Sequence, residues 1–204
     1  MNAKNNGYRL IHIFEHEWLN KQEIIKAKLK ALLRVEQEHI YARKCVIKEI
    51  SIIDKNEFLN KYHIQGEDKS TVKLGLFYKE ELVAVMTFGK PRFNKNYEWE
   101  LIRYATAKHV IGGASKLLKY FERNYKPKSI ITYADRRFSQ GNMYFKLGFT
   151  AINLTEINYW WIKDDLRLSR YQTQKHKLKN ILKFFDKTMT ECENLLRHRL
   201  LSYF

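Results

Sequence analysis

The chain has 204 residues, of which 45% are apolar and 14% aromatic, and this composition is typical of a packed globular protein rather than a disordered one. Lys and Arg total 38 against 22 Asp and Glu, which gives a formal net charge of +16. This excess favours a polyanionic partner, and we expect nucleic acid. No run approaches the roughly 18 uninterrupted apolar residues of a spanning helix, so no membrane partner is expected.

The N-terminal segment and the cysteines predict the compartment. Met1–Gly7 is polar and has no signal-peptide core. Cys45 and Cys192 are isolated, and they form neither a disulfide framework nor a zinc pattern. We therefore expect a cytoplasmic protein, and the sequence assigns it no metal ligands.

Residues 1–44 predict a short strand followed by one long helix. Tyr8–Phe14 is rich in β-branched and aromatic residues, and Glu15–Tyr41 carries apolar residues near helical spacing. Glu15, His16 and Glu17 could suggest a metal cluster, but a helix separates neighbouring side chains by about 100°. The two glutamates are better interpreted as helix-start acids.

Residues 45–168 predict an α/β (α+β) domain. The predicted elements are, in order, strand Val46–Ile53, helix Asn56–Tyr62, strands Val72–Tyr78, Leu82–Phe88 and Glu98–Ala105, a helix led by Gly112-Gly113, strand Ser129–Tyr133, helix Asn142–Leu147 and strand Ile157–Ile162. The second and third strands predict an antiparallel hairpin, and residues 98–133 predict a βαβ unit. A mixed, mostly antiparallel sheet flanked by helices follows. Residues 169–204 predict a basic helical extension.

A glycine-containing loop precedes the predicted helix after strand Glu98–Ala105. Its sequence is His109-Val110-Ile111-Gly112-Gly113-Ala114-Ser115. Glycines let a backbone approach a ligand closely, and a helix N-terminus offers unpaired N–H groups, a combination that suits a pyrophosphate. Adjacent glycines before a helix also occur in ordinary turns.

The run Gly141–Phe149 makes the pattern more specific. It places Tyr144 on a short helix before Leu-Gly-Phe, and it resembles the signature near the end of GNAT-type N-acyltransferases. The loop pattern of that superfamily is Arg or Gln, two residues, Gly, any residue, then Gly or Ala. Gly112 and Ala114 match the fourth and sixth positions, and His109 departs from the first.

The resemblance implies a GNAT-like core from about Cys45 to Ile162. It implies that acetyl-coenzyme A or another acyl-coenzyme A is the cofactor, bound by the loop His109–Ser115 through the amides of Gly112–Ser115. It also implies that Tyr144 donates a proton to the leaving thiolate.

A narrower resemblance points to proteins that act on DNA. Its elements are Phe58-Leu59, His63-Ile-Gln-Gly66, Glu100-Leu-Ile-Arg103, Ser115 with Leu118, Tyr133-Ala-Asp135, and Gly141 with Tyr144. They look like the GNAT branch that contains phage Mom-type DNA-modification proteins and the C-terminal domain of phage homing endonucleases. Residues 170–178 also look like those endonucleases, and residues 7–18 resemble the end of a very-short-patch-repair-type nuclease. Most acidic metal ligands of such a nuclease precede the matched segment, so we expect no autonomous DNA cleavage.

Three polar positions have both a functional and a structural interpretation. His63 is a candidate base, because imidazole titrates near working pH and Mom-like proteins place a His in this context. Asp135 follows a strand and could assist a substrate amine, pair with Arg136 or Arg137, or form an Asx-turn. Ser115 could line the cofactor site or only cap the helix.

Glu100 and Arg103 lie on one predicted strand at odd spacing. They should point to opposite faces of the sheet if that strand is regular.

Three basic segments are candidates for nucleic-acid binding. They contain Lys90, Arg92 and Lys95 with Phe93 and Tyr97; Arg136 and Arg137 with Phe138; and Arg170, Lys175 and Lys177. Cations contact phosphates and aromatic rings can stack on bases.

Two main functions remain open from the sequence. The first is a Mom-like transferase that moves an acyl-type group from a coenzyme A thioester to a nucleobase amine. The second is a catalytically silent GNAT-like module that binds DNA. A protein N-acetyltransferase is a third possibility that suits the charge less well.

Overall fold

The computed structural model describes residues 3–35, 38–155, 160–163, 166–198 and 200–203. The chain divides into two compact units. The first comprises the described residues of Met1–Ile13 and Lys21–Thr150, and the second those of Phe14–Asn20 and Ala151–Phe204. No helix in the described part of the chain is long and apolar enough to cross a membrane.

The helices and strands follow one another in this order: α1 Glu15–Leu32, β1 His39–Tyr41, β2 Val46–Glu49, α2 Ile52–Tyr62, β3 Val72–Tyr78, β4 Glu81–Gly89, β5 Trp99–Thr106, β6 His109–Ile111, α3 Gly113–Tyr125, β7 Ile130–Thr132, α4 Asn142–Lys146, β8 Trp160–Lys163, β9 Leu166–Ser169, α5 Lys175–Leu178, α6 Glu191–Arg197 and β10 Leu201–Tyr203.

The first unit is built on a five-stranded sheet of order β2-β3-β4-β5-β7. The pairs β2–β3, β3–β4 and β4–β5 are antiparallel, and β5–β7 is parallel. The prediction of a mixed, mostly antiparallel sheet flanked by helices is therefore confirmed. Lys79 and Glu80 connect β3 to β4 with φ angles of 45° and 68°, the left-handed backbone that two-residue hairpins favour.

Helices cover both faces of this sheet. On one face, α3 buries Leu117 and Phe121 against the strands, and the rings of Phe121 and Phe88 stack 3.7 Å apart. On the other face, α2 buries Phe58 and Leu59 beside Val85 and Ala105. The side chain of Ser51 accepts a hydrogen bond from the Asp54 N–H and begins α2.

The N-terminal segment differs from its prediction. Tyr8–Phe14 is not a strand; it is irregular, and Ile13 packs against Ile24 and Ile64 instead of joining a sheet. The helix ends at Leu32, well before Tyr41, and Arg34 has a φ of 54°. His39–Tyr41 forms β1, which pairs in parallel with β6.

The second unit corrects the prediction of a helical extension. Strands β10, β8 and β9 form a small antiparallel sheet, so β8 does not extend the central sheet. The described residues from 166 onward form two strands and two short helices around a core of Trp161, Leu178, Leu182, Leu195 and Leu200. These apolar side chains are buried against the small sheet. A solvated helix would leave them exposed to water. Residues 157–159 of the last predicted strand lie outside the described residues.

Candidate functional site

The parallel strands β5 and β7 pair over the first three residues of β5 and the whole of β7. Trp99, Glu100 and Leu101 face Ile130, Ile131 and Thr132 in register. The Thr132 hydroxyl donates to the Leu101 carbonyl at 3.0 Å and closes the last pair. From Ile102 to Thr106, β5 continues along β4 without a partner on its other edge among the described strands. Strand β7 therefore ends at Thr132 while β5 continues beyond Leu101, and we call this place the sheet opening.

A bulge in β5 determines which side chains reach one face. Thr87 pairs with Arg103 and Phe88 with Leu101, so Ile102 is an extra residue. Glu100 pairs with Gly89, and cross-strand partners share a face. Glu100 and Arg103 therefore lie on the same face, the one that α2 covers, and not on opposite faces as a regular strand would place them.

A buried polar cluster occupies this face next to the apolar contacts of α2. The Lys55 ammonium lies 3.2 Å from Oδ1 of Asp68 and donates to the Asp68 carbonyl at 2.5 Å. The Thr87 hydroxyl donates to Oδ2 of Asp68 at 2.5 Å. Burial would raise the pKa of Asp68, but hydrogen bonds from Ser70 and Thr87 and the charge of Lys55 outweigh it and lower that pKa.

Arg103 is the central cation of the cluster. It is only 8% exposed, its Nη1 donates to the Ile102 carbonyl at 2.9 Å, and its Nε has no acceptor among the described residues. Glu100, which is also buried, instead accepts from Arg92, at 2.7 Å from its N–H and at 2.9 and 2.5 Å from its guanidinium. The face therefore holds a guanidinium with incomplete hydrogen bonding.

His63 lies at the C-terminal end of α2, close to this charge. Burial, together with the positive charges of Arg103 and Lys28, lowers the pKa of His63 to about 3. Its Nδ1 accepts the Gln65 N–H at 3.2 Å, so Nε2 carries the proton of the neutral ring. These properties do not match a general base, whose pKa should lie near the working pH.

Asp135 is held by Arg137. Its carboxylate accepts the Arg137 N–H at 3.0 Å, which is an Asx-turn, and the guanidinium at 3.2 and 2.7 Å. Burial would raise the pKa of Asp135, but these contacts with Arg137 outweigh it, so the pKa lies below its ordinary value. The geometry favours pairing and the turn over a free catalytic carboxylate.

Tyr144 lies beside the sheet opening. Its hydroxyl lies next to the side chain of Thr132, the last residue of β7. Burial raises the pKa of Tyr144 more than Thr132 and Arg103 lower it, so the phenol stays protonated at neutral pH. Gly148, with a φ of 89°, ends α4 as the sequence predicts.

The predicted cofactor loop does lie between a strand and a helix. His109, Val110 and Ile111 form β6, and Gly112, with a φ of 77°, is the N-cap of α3. An added Cβ at Gly112 would meet only the Ala42 Cβ, at 3.7 Å, so the backbone there is approachable.

One of the predicted amide donors already has an acceptor. The Ala114 N–H donates to the hydroxyl of Tyr104, a partly buried residue of β5. Among the described residues, none accepts from the N–H groups of Gly113 and Ser115. The α3 N-terminus thus fits a diphosphate through two amides and the helix dipole, and not through Ala114.

The basic residues divide into exposed and paired ones. Lys90 and Arg136 are exposed, whereas Arg92 and Arg137 hold Glu100 and Asp135. The Lys95 ammonium donates to the Pro91 carbonyl. Phe93, in the same loop, contacts Tyr133 edge to face at 5.4 Å, so this loop lies next to the residue that follows β7. In the second unit, Arg170 and Lys175 are exposed and Lys177 is partly buried.

Sequence reasoning missed four residues that shape this region. They are Lys28, Lys55, Asp68 and Tyr104, and each acts through a contact distant in sequence. No protein-family model matches the chain, and no curated protein is significantly similar to it.

Proposed function

We propose that the first unit is a GNAT-like N-acyltransferase that transfers an acyl-type group from a coenzyme A thioester to a nucleobase amine of DNA. The observation that carries the proposal is that β7 ends at Thr132 while β5 continues, with Tyr144 next to Thr132. A ligand placed there would meet a protonated phenol.

The α3 N-terminus supplies the anion-binding part of the proposed site. The N–H groups of Gly113 and Ser115 would donate to the diphosphate of the coenzyme. When bound, the coenzyme supplies the acyl group as a thioester. The Lys116 ammonium is not available to it, because it donates to the carbonyls of Ala42 and Cys45 at 2.9 and 2.5 Å.

Tyr144 serves as the proton donor in this proposal. The amine nitrogen forms a bond to the acyl carbon as the carbon–sulfur bond breaks, and the leaving sulfur takes the Tyr144 proton. The proton that the amine loses passes to water. The Tyr144 phenolate then takes a proton from water and becomes a phenol again. His63 and Asp135 already accept hydrogen bonds from Gln65 and Arg137, so neither is assigned the role of general base in this proposal.

The basic loop beside the sheet opening supports a DNA substrate. Lys90 is exposed for phosphate contact, and Phe93 offers an exposed ring near Tyr133. A base inside a duplex would have to be flipped or unpaired to reach a transferase site.

Thermal-shift and transfer assays on the same variants test this proposal. Acetyl-coenzyme A should raise the melting temperature of the wild type and of Tyr144→Phe alike. Transfer should fall roughly 100-fold or more in Tyr144→Phe, because a general acid contributes about 10²–10⁴ in rate. Tyr78→Phe is the matched control, since no described residue hydrogen-bonds its hydroxyl, and it should retain full activity. Equal transfer rates for Tyr144→Phe and the wild type would contradict the role of Tyr144 as proton donor.

A catalytically silent DNA-binding module is the second candidate. It is favoured because the Ala114 N–H already donates to the Tyr104 hydroxyl. It is also favoured because the side chains of His63 and Asp135 already accept hydrogen bonds from Gln65 and Arg137. Salt-sensitive DNA binding combined with no thermal shift from acetyl-coenzyme A would favour this candidate over the transferase.

A further inference from the structure

The second unit contains an open pocket whose residues no step of the proposed transfer uses. It has a volume of about 520 Å³, within the range of small-ligand sites, and is lined by Leu168, Tyr171, Gln172, Lys177, Asn180 and Ile181. Leu168 and Ile181 pack against the core of this unit, so the pocket rests on ordered apolar residues.

A fixed turn presents an aromatic ring at this pocket. The N–H groups of Gln172 and Thr173 both donate to the Ser169 carbonyl, at 2.9 and 3.1 Å. Thr173 is fully buried below them. The Tyr171 ring remains 71% exposed, and the Lys177 ammonium lies over it while donating to the Tyr171 carbonyl at 2.9 Å. The ring is therefore exposed and held in place before any ligand arrives.

Two amide side chains, Gln172 and Asn180, line the same pocket as the ring. Oε1 of Gln172 accepts both the N–H and the hydroxyl of Ser169 at 2.8 Å, so among the described residues its NH₂ donors are left for a ligand. Asn180 is exposed and adds an amide that can donate and accept. Amide side chains of this kind hydrogen-bond the edges of nucleobases.

The charge around the pocket matches a nucleic-acid backbone. Residues 166–185 contain six Lys or Arg and no Asp or Glu. An apolar or cationic ligand would gain nothing from this charge, whereas phosphates on either side of a base would be neutralised by it.

We propose that this pocket binds an unpaired nucleobase of single-stranded DNA, stacked on Tyr171, with the edge of the base on Gln172 and Asn180. Arg170 and Lys175 contact the flanking phosphates. The inference goes beyond the proposed function, because it concerns the second unit and stands whether or not an acyl group is transferred.

Fluorescence anisotropy with a labelled oligothymidine of about a dozen nucleotides tests this inference on the full chain. Tyr171→Ala should weaken binding roughly 5- to 100-fold, because stacking contributes about 1–3 kcal/mol per base. Tyr171→Phe retains the ring and should bind within about threefold of the wild type. Phe184→Ala is the matched control, since Phe184 is equally exposed in this unit, at 73%, and does not line the pocket; it should bind like the wild type.

Two comparison ligands complete the test. A duplex of the same length should bind Tyr171→Ala and wild type equally, because its bases are already stacked. Unchanged oligothymidine binding by Tyr171→Ala, or an equal loss for the duplex, would overturn the inference. Tighter Tyr171-dependent binding of oligouridine would overturn the assignment to DNA. A melting temperature equal to that of the wild type establishes that Tyr171→Ala is folded.

Discussion

The contact between Lys55 and Asp68 is the most buried ion pair of the polar cluster, with side chains 3% and 2% exposed. Removing one member of such a pair leaves the other charge buried without compensation. Asp68→Asn should therefore lower the free energy of unfolding by about 3–5 kcal/mol in urea titrations at neutral pH. Lys108→Ala, which breaks the exposed pair with Glu81, is the control and should cost less than about 1 kcal/mol. A cost for Asp68→Asn as small as that of the control would contradict the role given to this pair.

His63 should make the protein sensitive to acid. Its pKa is lowered from 6.5 to about 3 in the folded protein, so below pH 6.5 the unfolded chain binds a proton that the folded one does not. Stability contributed by this residue is therefore present above pH 6.5 and is lost as the pH falls toward 3. Between pH 7 and pH 5 the loss from this residue should be about 2 kcal/mol.

The matched comparison for this pH effect is His63→Gln. Its stability should change less over the same interval than that of the wild type, because the remaining histidines are common to both. Parallel stability curves for the two proteins would show that His63 is not held neutral.

At the residue scale, the sequence predicts side chains that belong to a local motif. Tyr144 is one such residue, because a short helix and Gly148 fix its context along the chain. Lys55, Asp68 and Thr87 are not predictable in this way, since their contacts join residues 13 and 19 positions apart. The common face of Glu100 and Arg103 depends on one extra residue in β5, which the strand's composition does not reveal.

The N-terminus of α3 is the element on which cofactor binding depends. Tyr104→Phe would remove the acceptor of the Ala114 N–H, and it should lower the free energy of unfolding by about 1 kcal/mol. It would also free a third amide for the diphosphate. We therefore expect a larger thermal shift with coenzyme A for Tyr104→Phe than for the wild type, measured against each protein without ligand. A smaller shift would show that the hydroxyl does not compete with the ligand.

Elements with strong local signals were predicted well. The β3–β4 hairpin and the β5–α3–β7 unit follow from apolar runs bounded by turn residues, and both are present. The helix from Glu15 was predicted too long, because helical spacing of apolar residues cannot show that His39–Tyr41 pairs with β6. The C-terminal segment was assigned to a helix for a similar reason, although its leucines pack against a small sheet.

The charge of the whole molecule predicts how DNA binding responds to salt. With a net charge of +16, affinity for a duplex should fall linearly on a double-logarithmic plot of affinity against salt. The slope should be about −0.9 for each phosphate contacted, measured by anisotropy between roughly 50 and 200 mM salt.

Two lysines provide the comparison for this salt dependence. Lys90→Ala removes an exposed cation of the basic loop and should reduce the slope by about one unit. Lys26→Ala, whose cation is paired with Glu23, should change it little. A flat salt dependence would mean that phosphate contact does not drive binding.

Nucleoside mass spectrometry of DNA is the most direct test of the transferase proposal. Plasmid DNA would be isolated from cells that express the wild type, Tyr144→Phe or Tyr78→Phe, and digested to nucleosides. We expect a nucleoside heavier by an acyl-type group with the wild type and Tyr78→Phe, and a much reduced amount with Tyr144→Phe. Nucleosides of unchanged mass in all three samples would contradict the account.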